Sequence, residues 1–112
     1  MSTLFDQIID KKIPAKIVYE DEQIMAFYDI APQAPIHILL ITKKTIQGLG
    51  DVTEADQAVL GKLLFKAKQL AQELAPNQAF RLVTNHGAEA GQSVFHLHFH
   101  LLIGRQFKWP PG

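Results

Sequence analysis

The apolar residues of this chain fall into short runs of two different periods, separated by polar or Pro/Gly-containing stretches. From Thr3 to Lys11, the residues Leu4, Phe5, Ile8 and Ile9 recur at helical spacing and Thr3 stands where an N-cap belongs. The spacing predicts a short helix, ended by Pro14. Lys16–Glu20 and Ile24–Asp29 read as strands on either side of the acidic cluster Glu20-Asp21-Glu22, the turn of a hairpin. The prolines of Ile30-Ala31-Pro32-Gln33-Ala34-Pro35 cannot continue a ladder, so this segment is a fixed loop. Ile36–Thr42 (IHILLIT) is apolar enough for a buried strand, and Lys43–Asp51 is a polar, glycine-containing connection.

Thr53–Ala75 is the longest periodic segment. Val59, Leu60, Leu63, Leu64, Ala67, Leu70, Ala71 and Leu74 make one apolar stripe. Thr53 is placed to cap it, Glu54 and Asp56 complement the dipole of its first turn, and Pro76-Asn77 stops it. A strand at Ala79–Thr84, a loop at Asn85–Ser93 and a strand from Val94 to Ile103 follow. The short loop between these last two implies antiparallel pairing. The expected fold is α+β: a mostly antiparallel five-stranded sheet with a short N-terminal helix and one long helix, the helices on one face.

Composition narrows the class. A length of 112 residues suits one domain covering 1–112, and 47% hydrophobic residues suffice for a core. With no Cys there is no disulfide, no thiolate metal site and no cysteine nucleophile. Eleven basic and eleven acidic residues cancel, and no basic block appears, which disfavours a nucleic-acid polymer as partner. The start, MSTLFDQIID, carries acids where a signal peptide has a basic and then an apolar region. No apolar run approaches the ~20 residues needed to span a bilayer, so a cytoplasmic protein with no membrane association is expected.

The chemistry concentrates in His96-Leu97-His98-Phe99-His100. In an extended strand, alternate side chains share a face, so the three imidazoles line one side while Phe95, Leu97, Phe99 and Leu101 pack on the other. Same-face neighbours on a strand are about 7 Å apart, so His96 and His100 lie about 13 Å apart and cannot share one ion unless the strand bends. A metal site would need two of them and a recruit such as His37 or Asp29. A phosphoryl group suits the pattern better: one imidazole attacks phosphorus while another donates to a non-bridging oxygen. The neighbouring loop adds backbone N–H groups, the Asn85 amide, Gly91 for close approach and the Ser93 hydroxyl. Taken singly, His86 reads as a loop residue, while His37 reads equally as a structural or a site histidine, Asp29 as a turn cap or a ligand contact, and Trp109 as an apolar anchor or a site residue.

His96-Leu97-His98-Phe99-His100-Leu101-Leu102 matches the histidine-triad pattern His-φ-His-φ-His-φ-φ, with φ apolar. Ile13-Pro14-Ala15-Lys16-Ile17, Phe27-Tyr28-Asp29-Ile30-Ala31-Pro32-Gln33-Ala34-Pro35, Gly91-Gln92-Ser93-Val94 and Trp109-Pro110-Pro111-Gly112 extend the likeness over nearly the whole chain. Together they resemble the Hint branch of the histidine triad (HIT) superfamily, the histidine triad nucleotide-binding proteins. The resemblance implies a homodimer with one continuous sheet and a purine nucleoside phosphoramidase that releases AMP from adenosine 5′-monophosphoramidates. It implies no cofactor and no metal, and AMP, GMP and AMP-amines as ligands. It makes His98 the nucleophile that forms a nucleotidyl-imidazole, and His100 a donor to the phosphate. His96 and His37 orient the nucleophile and its proton network. Asn85, Gly91, Gln92 and Ser93 surround the phosphate and leaving group, and Asp29 binds the ribose hydroxyls. Leu4, Phe5, Ile8, Phe27 and Ile30 form the purine pocket, and Trp109 reaches the partner subunit's site. Tyr28, Thr84 and His86 depart from the residues usual in that branch. A non-catalytic nucleotide-binding module, a zinc-dependent enzyme, and a dinucleoside polyphosphate hydrolase or nucleotidyl transferase of the same superfamily are the alternatives.

Overall fold

The computed structural model describes residues 2–112. Its main elements are α1 (Leu4–Ile9), β1 (Ile17–Glu20), β2 (Ile24–Tyr28), β3 (Ile36–Thr42), α2 (Gln57–Leu74), β4 (Arg81–Val83) and β5 (His98–Ile103). The strands form one sheet in the order β1-β2-β3-β5-β4, with every neighbouring pair antiparallel.

The two helices lie on opposite faces of the sheet, not on one. Leu63, Ala67, Leu70 and Ala71 of α2 pack with Ile24, Ala26, Ile38, Leu40, Phe99 and Leu101. Phe5 and Ile8 of α1 pack with Met25, Phe27, Leu39 and Ile41. The reason lies in the strands. β2 and β3 are apolar at nearly every position instead of alternating, so both faces of the central sheet need cover. A helix as short as α1 is marginal on its own. It is held by that burial and by a capping box, in which Thr3 Oγ1 accepts the Asp6 N–H (3.2 Å) and Asp6 Oδ2 accepts the Thr3 N–H (2.9 Å).

The largest departures from the predicted boundaries fall at three elements. Thr53 and Asp56 do form a capping box, but it caps a 3₁₀ turn at Glu54–Asp56, and α2 begins only at Gln57. β4 is shorter than Ala79–Thr84, and Phe80 is exposed beside it. β5 starts at His98 and not at Val94: the chain reaches the sheet through bends at 94–96, fastened where the Leu97 N–H donates to Ile46 O at 2.7 Å. Alternation survives from His96 onward, with Leu97, Phe99 and Leu101 in the α2-side core. Phe95 falls outside it and is 45% exposed. No helix among the described residues is long and apolar enough to cross a membrane.

Candidate active site

The antiparallel register of β3 and β5 pairs Leu39 with His100, Ile41 with His98 and His37 with Leu102. Residues paired across a ladder share a face, so His37, His98 and His100 all project toward α1. The Phe5 ring packs edge-on to His98 at 5.0 Å and to His96 at 5.9 Å between centroids.

Hydrogen bonds assign the proton on each ring. The Gln33 N–H donates to His37 Nδ1 at 3.0 Å, so the neutral His37 ring carries its proton on Nε2. That nitrogen lies 2.9 Å from His100 Nδ1, which accepts, so the His100 proton sits on Nε2. His98 Nδ1 is 2.7 Å from the His96 carbonyl, which can only accept; His98 therefore keeps its lone pair on Nε2. His96 Nε2 donates to Thr42 O at 2.6 Å by the same logic. The site thus contains one imidazole nitrogen with a free lone pair (His98 Nε2) and one imidazole N–H donor (His100 Nε2).

Burial favours the neutral state of His37, His98 and His100. His98 is 7% exposed, and desolvation lowers its pKa below the ordinary 6.5, helped by the nearby His96 and opposed by the His96 carbonyl. His100 is lowered to about 4 by burial first and then by His98 and His37. His37 is lowered by burial, against the pull of Asp29.

A cleft of about 220 Å³ opens in front of His98 and His100. Leu4, Phe5, Ile8, Phe27 and Ile30, the expected purine-pocket residues, all line it, as do Asp29 and Ser93. Sequence reading missed Ile13, Pro14, Ala15, Tyr28, Leu39 and Val94, which complete the wall. Pro14 and its neighbours had a visible signal, since the chain must turn back there from α1 toward β1. Asp29 both caps its turn, Oδ1 accepting the Ala31 N–H at 2.8 Å, and holds Oδ2 3.5 Å from His37 Nε2. Trp109 is 83% exposed and lines no part of this cleft in its own chain.

The loop before β5 is shaped by Gln92. Its buried side chain accepts the Gly87 N–H at 2.8 Å and donates to Gln47 O and Val94 O, and its own N–H donates to Gly87 O. Every polar atom of that amide is thus engaged inside the loop. Gln92 acts in this structure on the loop's shape, and the exposed Ser93 hydroxyl is the group left facing the cleft. Gly91 has φ +102°, while a Cβ there would sit 3.6 Å from Asn85 Nδ2, an ordinary contact. Backbone conformation rather than space requires the glycine, and it sets Gly91 against Asn85. Two of the departures also have places. Thr84 Oγ1 donates to the His98 carbonyl at 2.8 Å, and His86 Nδ1 accepts the Gly50 N–H at 3.0 Å. His86 lies so close to the 48–50 segment that a Cβ on Gly48 or Gly50 would approach its ring to 2.6 or 2.8 Å.

Donor atoms of Asp29, His37 and His100 lie within 4.8 Å of one another, the spacing of a metal site. The proton assignment argues against one. With Gln33 N–H on His37 Nδ1, the nitrogen that would face the cation bears a proton and has no lone pair to give.

The HIT domain family matches residues 10–107. An uncharacterised HIT-like protein of Synechocystis sp. is 56% identical over 110 residues, 98% of this chain and 96% of that one. The crystal structure of a HIT family hydrolase from Legionella pneumophila superimposes with a TM-score of 0.95 at 48% identity, covering 99% of this chain and all of the other. A hypothetical histidine triad nucleotide-binding protein from Sulfolobus tokodaii aligns with a TM-score of 0.78 at 34% identity, over 95% of this chain and 71% of that one. With the triad pattern, the sheet that displays it and these relatives in agreement, the chain belongs to the histidine triad (HIT) family.

Proposed function

We propose that this protein is a hydrolase of P–N bonds, a purine nucleoside phosphoramidase acting on adenosine 5′-monophosphoramidates through a nucleotidyl-His98 intermediate. One observation carries the reading. His98 Nδ1 is tied to a backbone carbonyl, which leaves the Nε2 lone pair at the wall of a cleft, beside the N–H of His100. A neutral imidazole in that tautomer is a nucleophile at neutral pH and a good leaving group once phosphorylated. The hydrolase from Legionella pneumophila and the nucleotide-binding protein from Sulfolobus tokodaii support the class of reaction and ligand.

In the first step His98 Nε2 forms a bond to phosphorus and the P–N bond breaks. Its electron pair leaves with the amine, which takes a proton from solvent relayed through the Ser93 hydroxyl. His100 Nε2–H donates to a phosphate oxygen as charge develops there. Water then attacks phosphorus and returns its proton to solvent by the same route, the P–N bond to His98 breaks with its electron pair going to the imidazole, and AMP leaves with that ring neutral again. Asp29 Oδ2 remains open to ribose hydroxyls, and the apolar wall from Leu4 to Ile30 takes the purine, adenine or guanine. The active unit is a homodimer of single-domain chains, with Trp109 of each completing the other's site.

The test is incubation of the pure protein, in chelator-treated buffer, with an AMP-amine phosphoramidate. Release of AMP is expected, and His98→Asn should abolish it while still binding AMP. An active His98→Asn enzyme would refute the mechanism. A wild-type protein that binds AMP but cleaves neither AMP- nor GMP-amines would favour a non-catalytic binding module.

A further inference from the structure

His96 is fully buried, and its Nδ1 has no hydrogen-bond partner among the described residues. An orphaned buried polar atom needs a physical account. Its Nε2 must carry a proton, because the group it meets is the Thr42 carbonyl at 2.6 Å. On the other side, Nδ1 faces Asp6 Oδ1 at 3.5 Å. A neutral ring, buried against Phe5, would aim its Nδ1 lone pair at the oxygen of a partly exposed carboxylate. A proton on one of the two groups would turn that repulsion into an attraction.

Asp6 is poorly placed to be that group. Its Oδ2 accepts the Thr3 N–H at 2.9 Å and the Thr3 hydroxyl at 3.3 Å, and its Oδ1 accepts the Thr45 hydroxyl at 3.2 Å. Three donors converge on the ionised form. They hold the carboxyl below its ordinary range, the Thr3 N–H most of all and burial acting against.

We infer that His96 is doubly protonated at neutral pH with Asp6 as its counter-ion, and that this pair keeps a fixed positive charge behind the nucleophile. Asp6 is then a positioning residue, acting on the reaction through His96. The titratable groups facing His96 are Asp6 from the α1 side and His98 from its own segment; β3 contributes the Thr42 carbonyl. The His96 cation makes a second proton on His98 unfavourable, so His98 Nε2 keeps its lone pair. It also favours the negative charge that gathers at phosphorus during displacement. The His96 carbonyl meanwhile holds His98 Nδ1 at 2.7 Å, so one residue sets both the tautomer and the field of its neighbour. The kinetic half of this inference rests on the proposed phosphoramidase reading; the protonation half does not.

The experiment is a ¹⁵N–¹H correlation spectrum of the histidine rings in the labelled wild-type protein at pH 7, with Asp6→Asn and Asp6→Glu beside it. Wild-type His96 is expected to show both ring nitrogens protonated, Asp6→Asn to lose the Nδ1 proton, and Asp6→Glu to regain it. A lone-pair signal for Nδ1 in the wild-type spectrum would overturn the inference, and that spectrum needs no variant to fold. On AMP-amine, Asp6→Asn should lower kcat about tenfold with KM little changed, and Asp6→Glu should recover most of the loss. An unchanged kcat in an Asp6→Asn protein that has lost the Nδ1 proton would remove the pair from the reaction. A wild-type protein inert toward phosphoramidates but with His96 doubly protonated would sink the proposed activity and leave the pair standing.

Discussion

A neutral imidazole has one N–H, and in this cleft a backbone group decides which nitrogen carries it. Gln33 N–H fixes His37, and His37 fixes His100; the His96 carbonyl fixes His98. In the proposed reaction His100 is the donor and His98 the nucleophile, and the two rings lie 5.0 Å apart between centroids. Replacing His100 by Ala removes the phosphate donor and should lower kcat on AMP-amine by about 10²–10³, with a smaller change in KM; a loss confined to KM would move His100 from chemistry to binding. Because burial lowers the pKa of both His98 and His100, kcat/KM should fall on the acid side with a midpoint below 6.5. A midpoint at or above 6.5 would contradict the neutral-pair assignment. The triad was legible in sequence because three histidines on one face of an apolar strand serve packing poorly and phosphoryl chemistry well. Gln33, Thr42 and Asp6 were not legible: they act through backbone groups or across large sequence separations, which periodicity does not report.

Among the elements, the strands reveal most. The unbroken apolar runs of β2 and β3 mean burial on both faces, and that is why α1 and α2 sit on opposite sides. The one-face expectation overlooked what the buried reading of Ile36–Thr42 already required, namely cover on both sides of the sheet. The late start of β5 was illegible for a different reason. Val94 and Phe95 have strand propensity, but Gln92 and the Leu97–Ile46 hydrogen bond bend the chain before it joins the sheet. Gln92→Leu should leave the Gly87 N–H, Gln47 O and Val94 O without partners and destabilise the protein by about 1–3 kcal/mol in urea unfolding. An unchanged midpoint would show that the loop keeps its shape without that amide. On the α2 face, Leu101 is fully buried, and Leu101→Ala should cost about 2–5 kcal/mol. A loss under about 1 kcal/mol would mean that the core collapses into the space.

At the scale of the whole molecule, buried histidines tie stability to pH, and the sheet ends in an edge with exposed aromatic side chains beside it. His37, His98 and His100 all have lower pKa values folded than unfolded. Between the two values the unfolded chain binds more protons. Stability from these rings is therefore full above about 6.5 and lost as pH falls toward 4. The melting temperature should drop across that window, and His100→Asn should drop less; a flat profile would deny the burial assigned to these rings. β4 is a three-residue edge strand with Phe80 beside it and Trp109 exposed in the tail. The exposed aromatic surface beside that edge, rather than the short strand itself, is what a second copy would cover in the proposed homodimer, and sedimentation should give a dimer at micromolar concentration. A monomer would leave the part assigned to Trp109 without a basis.

The central claim is a covalent bond from His98 Nε2 to phosphorus. Wild-type protein mixed with an AMP-amine, quenched at alkaline pH during turnover and digested for mass spectrometry, should carry one added nucleotidyl group on the peptide containing His98. His98→Asn should carry none. Steady AMP release by the wild type with no such adduct, or the adduct on a different residue, would contradict the account.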